Sequence, residues 1–127
     1  MRLVLSALAF AATALPAAPA FADDFSGVWA TDWDGSGGYN AGRARMIITR
    51  SPTDPTELDG MWDSKGYNAL LTGKLTGQSW TGTWMIPGTA AAGTFTFTLK
   101  SNSHWEGTWT TGADHAAWRG NRIGTLP

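Results

Sequence analysis

Thr94-Phe95-Thr96-Phe97-Thr98-Leu99-Lys100 is the stretch on which the fold turns. Apolar and hydroxyl side chains alternate without a break. Successive side chains of a β-strand point to opposite faces, so this segment reads as a half-buried strand. Phe95, Phe97 and Leu99 form its inner face, and Thr94, Thr96 and Thr98 its outer face. Working outward, the same parity recurs around a repeated tripeptide of glycine, any residue and tryptophan: Gly27-Val28-Trp29, Gly60-Met61-Trp62, Gly82-Thr83-Trp84 and Gly107-Thr108-Trp109. Glycine and tryptophan two residues apart share a strand face, and the expectation is that the glycine gives the indole beside it room.

Carried along the chain, the alternation predicts eight strands, at about 25–33, 43–50, 57–63, 67–75, 78–86, 93–101, 104–111 and 115–123. Turn-forming runs separate them, among them Asp34-Gly35-Ser36-Gly37-Gly38, Ser51-Pro52-Thr53-Asp54-Pro55, Pro87-Gly88, Ser101-Asn102-Ser103 and Gly112-Ala113-Asp114. Connections this short make sequence neighbours antiparallel partners. One face collects Phe25, Trp29, Leu58, Trp62, Leu71, Trp80, Trp84, Phe95, Phe97, Trp105, Trp109 and Trp118. The other collects threonines with Glu106 and Arg119. The fold class is therefore all-β, an eight-stranded antiparallel up-and-down meander, and closure into a barrel removes its two exposed edges. No stretch keeps a helical apolar period.

The first residues read as a secretory signal: Arg2, an apolar run from Leu3 to Leu15, and the small-x-small site Ala20-Phe21-Ala22. Residues 1–22 are accordingly set apart as signal peptide, and 23–127 form a single β-barrel domain. This implies a periplasmic or secreted bacterial protein. No second apolar run of spanning length follows, so membrane insertion is not expected. With no cysteine, disulfides play no part, and the core must hold the fold. A formal charge of −1 gives no electrostatic footprint for nucleic acid.

The tryptophans admit two readings, a filled core or the wall of a ligand site. Under the second, Trp33, Trp62, Trp105 and Trp118 are the candidate ligand-binding rings, and Ser36, Tyr39 and Asn40 in the glycine-rich first connection join them as mouth residues. The expected ligand is small and largely apolar or aromatic. Asp114-His115 and His104 are the histidine sites, without metal-ligand spacing, and no metal or other cofactor is expected. Carboxylates occur singly, and no nucleophile–base pair is visible, so the chain does not read as an enzyme. Arg43 and Arg45 share a face opposite Met46 and Ile48, which places them toward solvent. The alternative function is a filled barrel that docks on a cell-envelope protein partner or inhibits a protease.

These motifs resemble the calycin group of lipocalins, fatty-acid-binding proteins and avidins. Lipocalins carry Gly-x-Trp on their first strand and a late arginine over that tryptophan. Here Gly27-Val28-Trp29 and Arg122 (or Arg119) match, and the resemblance implies a structural closure of Arg122 on Trp29. Leu58-Asp59-Gly60-Met61-Trp62-Asp63-Ser64, Leu71-Thr72-Gly73-Lys74-Leu75 and Trp105-Glu106-Gly107-Thr108-Trp109 are similar to avidin strands. That similarity implies a biotin pocket of Ser36, Trp62, Ser64, Trp105 and Trp118. The chain departs from the avidin pattern at Thr31, where asparagine is expected, and at Trp62, where tyrosine is expected. The repeated Gly-x-Trp with a Trp-x-Gly-x-Arg ending is also similar to small exported bacterial proteins.

Overall fold

A computed structural model describes residues 25–36, 38–64 and 67–126, except the side chains of Ser64 and Tyr67. The predicted signal segment lies outside them. Eight strands follow one another: β1 Gly27–Trp33, β2 Gly42–Arg50, β3 Glu57–Ser64, β4 Tyr67–Thr76, β5 Ser79–Met85, β6 Ala92–Ser101, β7 His104–Thr111 and β8 Asp114–Gly124. Each pairs antiparallel with the next, and β1 pairs with β8, so the meander closes into a barrel. The strands lie where the alternation predicts them, within two residues at each end.

The register explains the parity. Trp29 stands opposite Met46, Met46 opposite Trp62, Leu71 opposite Trp84, Trp80 opposite Phe97 and Leu99 opposite Trp105. All eight tryptophans are buried, together with Phe25, Phe95, Phe97 and a few aliphatic side chains. Aromatic contacts run through the barrel: Phe25 against Trp80 at 5.8 Å, Trp80 against Phe95 at 4.6 Å, and Phe97 stacked on Trp105 at 4.0 Å. The outer face is tied by threonine hydroxyls across strands, with Thr94 on Thr110 at 2.7 Å and Ser79 on Thr98 at 2.9 Å. Arg43 and Arg45 are exposed, on the outer face expected of them.

The glycines do not act as the sequence suggests. None of the four repeat glycines makes room for the tryptophan of its own tripeptide. A Cβ at Gly60 would sit 2.9 Å from Trp80, and one at Gly82 or Gly107 would strike the backbone of the neighbouring strand. The space for the indoles comes instead from glycines on other strands. Gly42 lies opposite Trp33, Gly93 opposite Trp84 and Gly120 opposite Trp105. A Cβ on Gly120 would fall within 2.6 Å of the Trp105 ring, and one on Gly42 within 2.5 Å of Trp33. Close backbone approach at Gly73, Gly82 and Gly107 lets the strands coil tightly enough for eight of them to close.

Arg122 closes the far end of the barrel. Its guanidinium carbon lies 4.4 Å from the centroid of the Trp29 ring. It donates to the Ser26 carbonyl and to the Asn102 carbonyl, each at 2.7 Å. The head group thus spans the entry to β1, the β6–β7 turn and β8. Gly27 leaves the room for it, since a Cβ there would lie 2.5 Å from the Arg122 Nη1.

Two predictions follow from this packing. Gly120→Ala should destabilise the protein by roughly 1–3 kcal/mol in urea unfolding, as overpacking does. Gly124→Ala, which meets nothing closer than Val28 at 3.9 Å, should change stability little. Arg122→Lys keeps the charge but loses the planar fork and the ring contact. It should lower stability by about 1–2 kcal/mol, measured the same way.

Candidate functional site

Strands β1, β3, β5 and β7 run in one direction, so the residues that end them share one mouth of the barrel. Trp33, Trp62, Trp84 and Trp109 occupy those positions. Trp118 on β8 lies among them, 5.4 Å from Trp33, 5.5 Å from Trp62 and 6.3 Å from Trp109. The β1–β2 connection folds over this mouth. Ser36 and Tyr39 exchange backbone hydrogen bonds at 2.9 Å in a miniature hairpin, which Gly38 turns with a φ of 90°. Tyr39 is thereby presented edge-on to Trp84 at 5.8 Å and to Trp109 at 5.9 Å.

The walls leave a cleft of about 330 Å³ bounded by these five indoles, Tyr39, Asn40, Ile86 and the backbone of the loop. That volume is within the range of small-molecule sites. Its walls carry no carboxylate, imidazole, amine or guanidinium among the described residues. Three indole N–H groups at this end donate to backbone carbonyls: Trp33 to Asn40 at 3.0 Å, Trp84 to Thr110 at 2.9 Å and Trp109 to Asp34 at 3.2 Å. These bonds fix ring orientation and tether the loop. Arg119 adds a clamp on the outer rim, donating to Asp32 at 3.0 Å and Asp34 at 2.8 Å. The bond to Asp34 raises the Arg119 pKa above its ordinary value.

Of the residues expected at a ligand site, Trp33, Tyr39, Asn40, Trp62 and Trp118 border the cleft. Trp105 does not. It opens β7 and is fully buried at the other end of the strand, stacked on Phe97 and tilted against Trp29 at 6.1 Å. Ser36 lies in the loop but not in the cleft wall, and the Ser64 side chain lies outside the described residues. Trp84, Trp109 and Ile86 were missed. Strand direction would have found them, because β5 and β7 reach the same mouth as β1 and β3.

Among the described residues, no group of three or more metal-ligating side chains comes together. His115 is exposed. His104 bridges β7 and β8, with Nδ1 2.9 Å from Asn121 Oδ1 and Nε2 2.8 Å from Glu106 Oε2. The contact with Glu106 raises the His104 pKa above 6.5 and lowers that of Glu106 below 4.5.

No family model and no curated protein matches the chain. Among solved structures, a redesigned β-barrel is similar, with a TM-score of 0.64 and 16% identity over 81% of this chain and 95% of that one. This likeness concerns the fold. The chain is thus an eight-stranded antiparallel barrel with one mouth sealed by an arginine and the other walled by indoles.

The His104–Glu106 pair generates a pH prediction. A raised histidine pKa stabilises the fold fully below the ordinary value, and the effect is lost as pH rises through the folded value. A lowered glutamate pKa stabilises above its ordinary value, and the effect is lost as pH falls through the folded one. The pair therefore contributes most between pH 4.5 and 6.5. His104→Gln should be less stable than wild type in that window, by a small margin because Glu106 is 57% exposed. The margin should shrink above the His104 pKa in urea melts run across pH.

Proposed function

We propose that the protein is a non-enzymatic, exported β-barrel that binds a small, flat, largely apolar molecule at the mouth formed by Trp33, Trp62, Trp84, Trp109 and Trp118. The observation that carries this reading is the cleft itself, about 330 Å³ walled by rigid aromatic faces. An apolar cleft with few polar groups suits a neutral ring compound better than a sugar, whose hydroxyls need many partners. Asn40 is the side-chain amide on the rim. Among the described residues, the walls hold no acid, base or nucleophile other than the Tyr39 hydroxyl, which supports binding over catalysis. The apolar interior and the threonine-rich outer face support a barrel surrounded by water, the reverse of a lipid-facing one.

The calycin resemblance supports the same reading through Trp29 and Arg122, whose contact matches the lipocalin pattern. Biotin is a weaker candidate within it. Trp62 and Trp118 border the cleft, but Trp105 lies in the packed core and Ser36 outside the walls. The second reading, a barrel that docks on an envelope protein, is favoured by a row of exposed apolar side chains. Met61, Leu70 and Met85 are neighbours across β3, β4 and β5 and are 42–49% exposed. Substituting all three with threonine should abolish pull-down of a periplasmic partner under that reading and leave ligand binding intact.

The leading reading is tested by tryptophan fluorescence titration with neutral aromatic probes and biotin, alongside native mass spectrometry. Trp62→Ala should weaken probe binding about tenfold or more, the loss of one aromatic wall. Trp105→Ala should cost about 3–5 kcal/mol of stability while leaving affinity nearly unchanged at temperatures where it is folded. Affinity that follows Trp105 and ignores Trp62 would overturn the site.

A further inference from the structure

Buried indole N–H groups normally find an acceptor, and one left unpaired needs an explanation. At the mouth, those of Trp33, Trp84 and Trp109 are each taken by a backbone carbonyl. Trp118 is different. It is 2% exposed, its Nε1 is buried without a hydrogen-bond partner, and it forms part of the cleft wall. The Nε1 atoms of Trp80 and Trp105 are also buried without partners, but those rings lie in the packed layers, away from the cleft.

Resting on the ligand-binding reading of the mouth, we infer that the Trp118 N–H is the donor that selects the ligand. The ligand class is then a flat, uncharged ring compound bearing a hydrogen-bond acceptor, such as an aromatic ring nitrogen or ring carbonyl. Three observations converge on it. The rings around Trp118 that border the cleft, namely Trp33, Trp62 and Trp109 at 5.4 to 6.3 Å, offer faces and edges for a planar molecule. Among the described residues, no ionised side chain borders the cleft to neutralise a charged one. An apolar ligand without an acceptor would leave the N–H unpaired, whereas one with an acceptor satisfies a donor that water does not reach. Discrimination of this kind is stronger than that from shape alone, because a buried unpaired group is penalised.

The test uses two isosteric probes, naphthalene and quinoline, both uncharged at neutral pH and differing by one ring nitrogen. Affinities are measured on the purified protein and on Trp118→Phe, which keeps an aromatic wall and removes the donor. Comparing the ratio of the two affinities between wild type and variant cancels the probes' difference in hydrophobicity. The expected result is that the preference for quinoline falls about tenfold in Trp118→Phe. An unchanged ratio in the folded variant would overturn the inference and leave the ligand-binding reading standing, with the N–H satisfied by neighbouring ring faces. Failure of both probes to bind the wild-type protein would overturn both. Should Trp118→Phe not fold, the Trp118 indole N–H resonance of the wild type decides. It should move downfield with quinoline and not with naphthalene, and equal shifts with both would sink the inference.

Discussion

Fitting eight indoles inside eight strands is the constraint on which the rest of the structure depends. A barrel of this strand number has an interior just wide enough for side chains. Indoles exceed that space unless some inner positions carry no side chain at all. Gly42, Gly93 and Gly120 supply the vacancies opposite Trp33, Trp84 and Trp105, while Gly73, Gly82 and Gly107 let backbones approach. The arrangement also fixes the register. A slip of one residue would place a Cβ where an indole lies and turn the threonines inward. Stability and closure therefore come from the same positions, without a disulfide.

The two ends of the barrel solve different problems. At the far end, aliphatic side chains such as Ile48, Leu58 and Leu99 fill the gaps between Phe25, Trp80 and Trp105, and Arg122 lies over Trp29. Branched aliphatics adapt to irregular spaces, so this end packs tightly. At the near end, the fill is nearly all planar and rigid. Rings meeting edge to face, as Trp33 and Trp62 do at 4.7 Å and 68°, cannot collapse onto one another completely. The cleft follows from that choice of residues, and the β1–β2 loop covers part of it with Tyr39.

Most of this fold was legible in the sequence, because a period-two alternation between aromatic and threonine residues leaves little room for another reading. Strand order and pairing followed from short turns, and closure from the burden of two free edges. The function of the glycines was not legible in the same way. Their partners sit on neighbouring strands, and a pattern read along one strand cannot show them. The mouth was half legible. Tyr39 and Asn40 are legible because they lie in the glycine-rich loop, and Trp33, Trp62 and Trp118 as inner-face indoles. Trp105 is expected at the site both as an inner-face indole and through the avidin resemblance, while Trp84 and Trp109 are read only as inner-face residues. Parity separates inside from outside but says nothing about which end of the barrel a residue faces. Strand direction carries that information, and it puts Trp80 and Trp105, which open β5 and β7, away from the mouth.

The polar atoms of the mouth rings and their faces are put to separate uses. Trp33, Trp84 and Trp109 give their N–H groups to backbone carbonyls, so these atoms fix the loop and the strand ends while the ring surfaces stay apolar. Trp118 does not share this arrangement, and it also touches Phe97, which stacks on Trp105 in the packed core. The cleft wall and the packed core are thus joined through Trp118. Substitutions at the mouth and in the core will not be additive where they share Trp118 or Phe97 as a neighbour. An affinity change in a mouth variant bears on the proposed ligand only when stability has been measured on the same variant, because in this molecule the wall of the cleft is also the upper layer of the core.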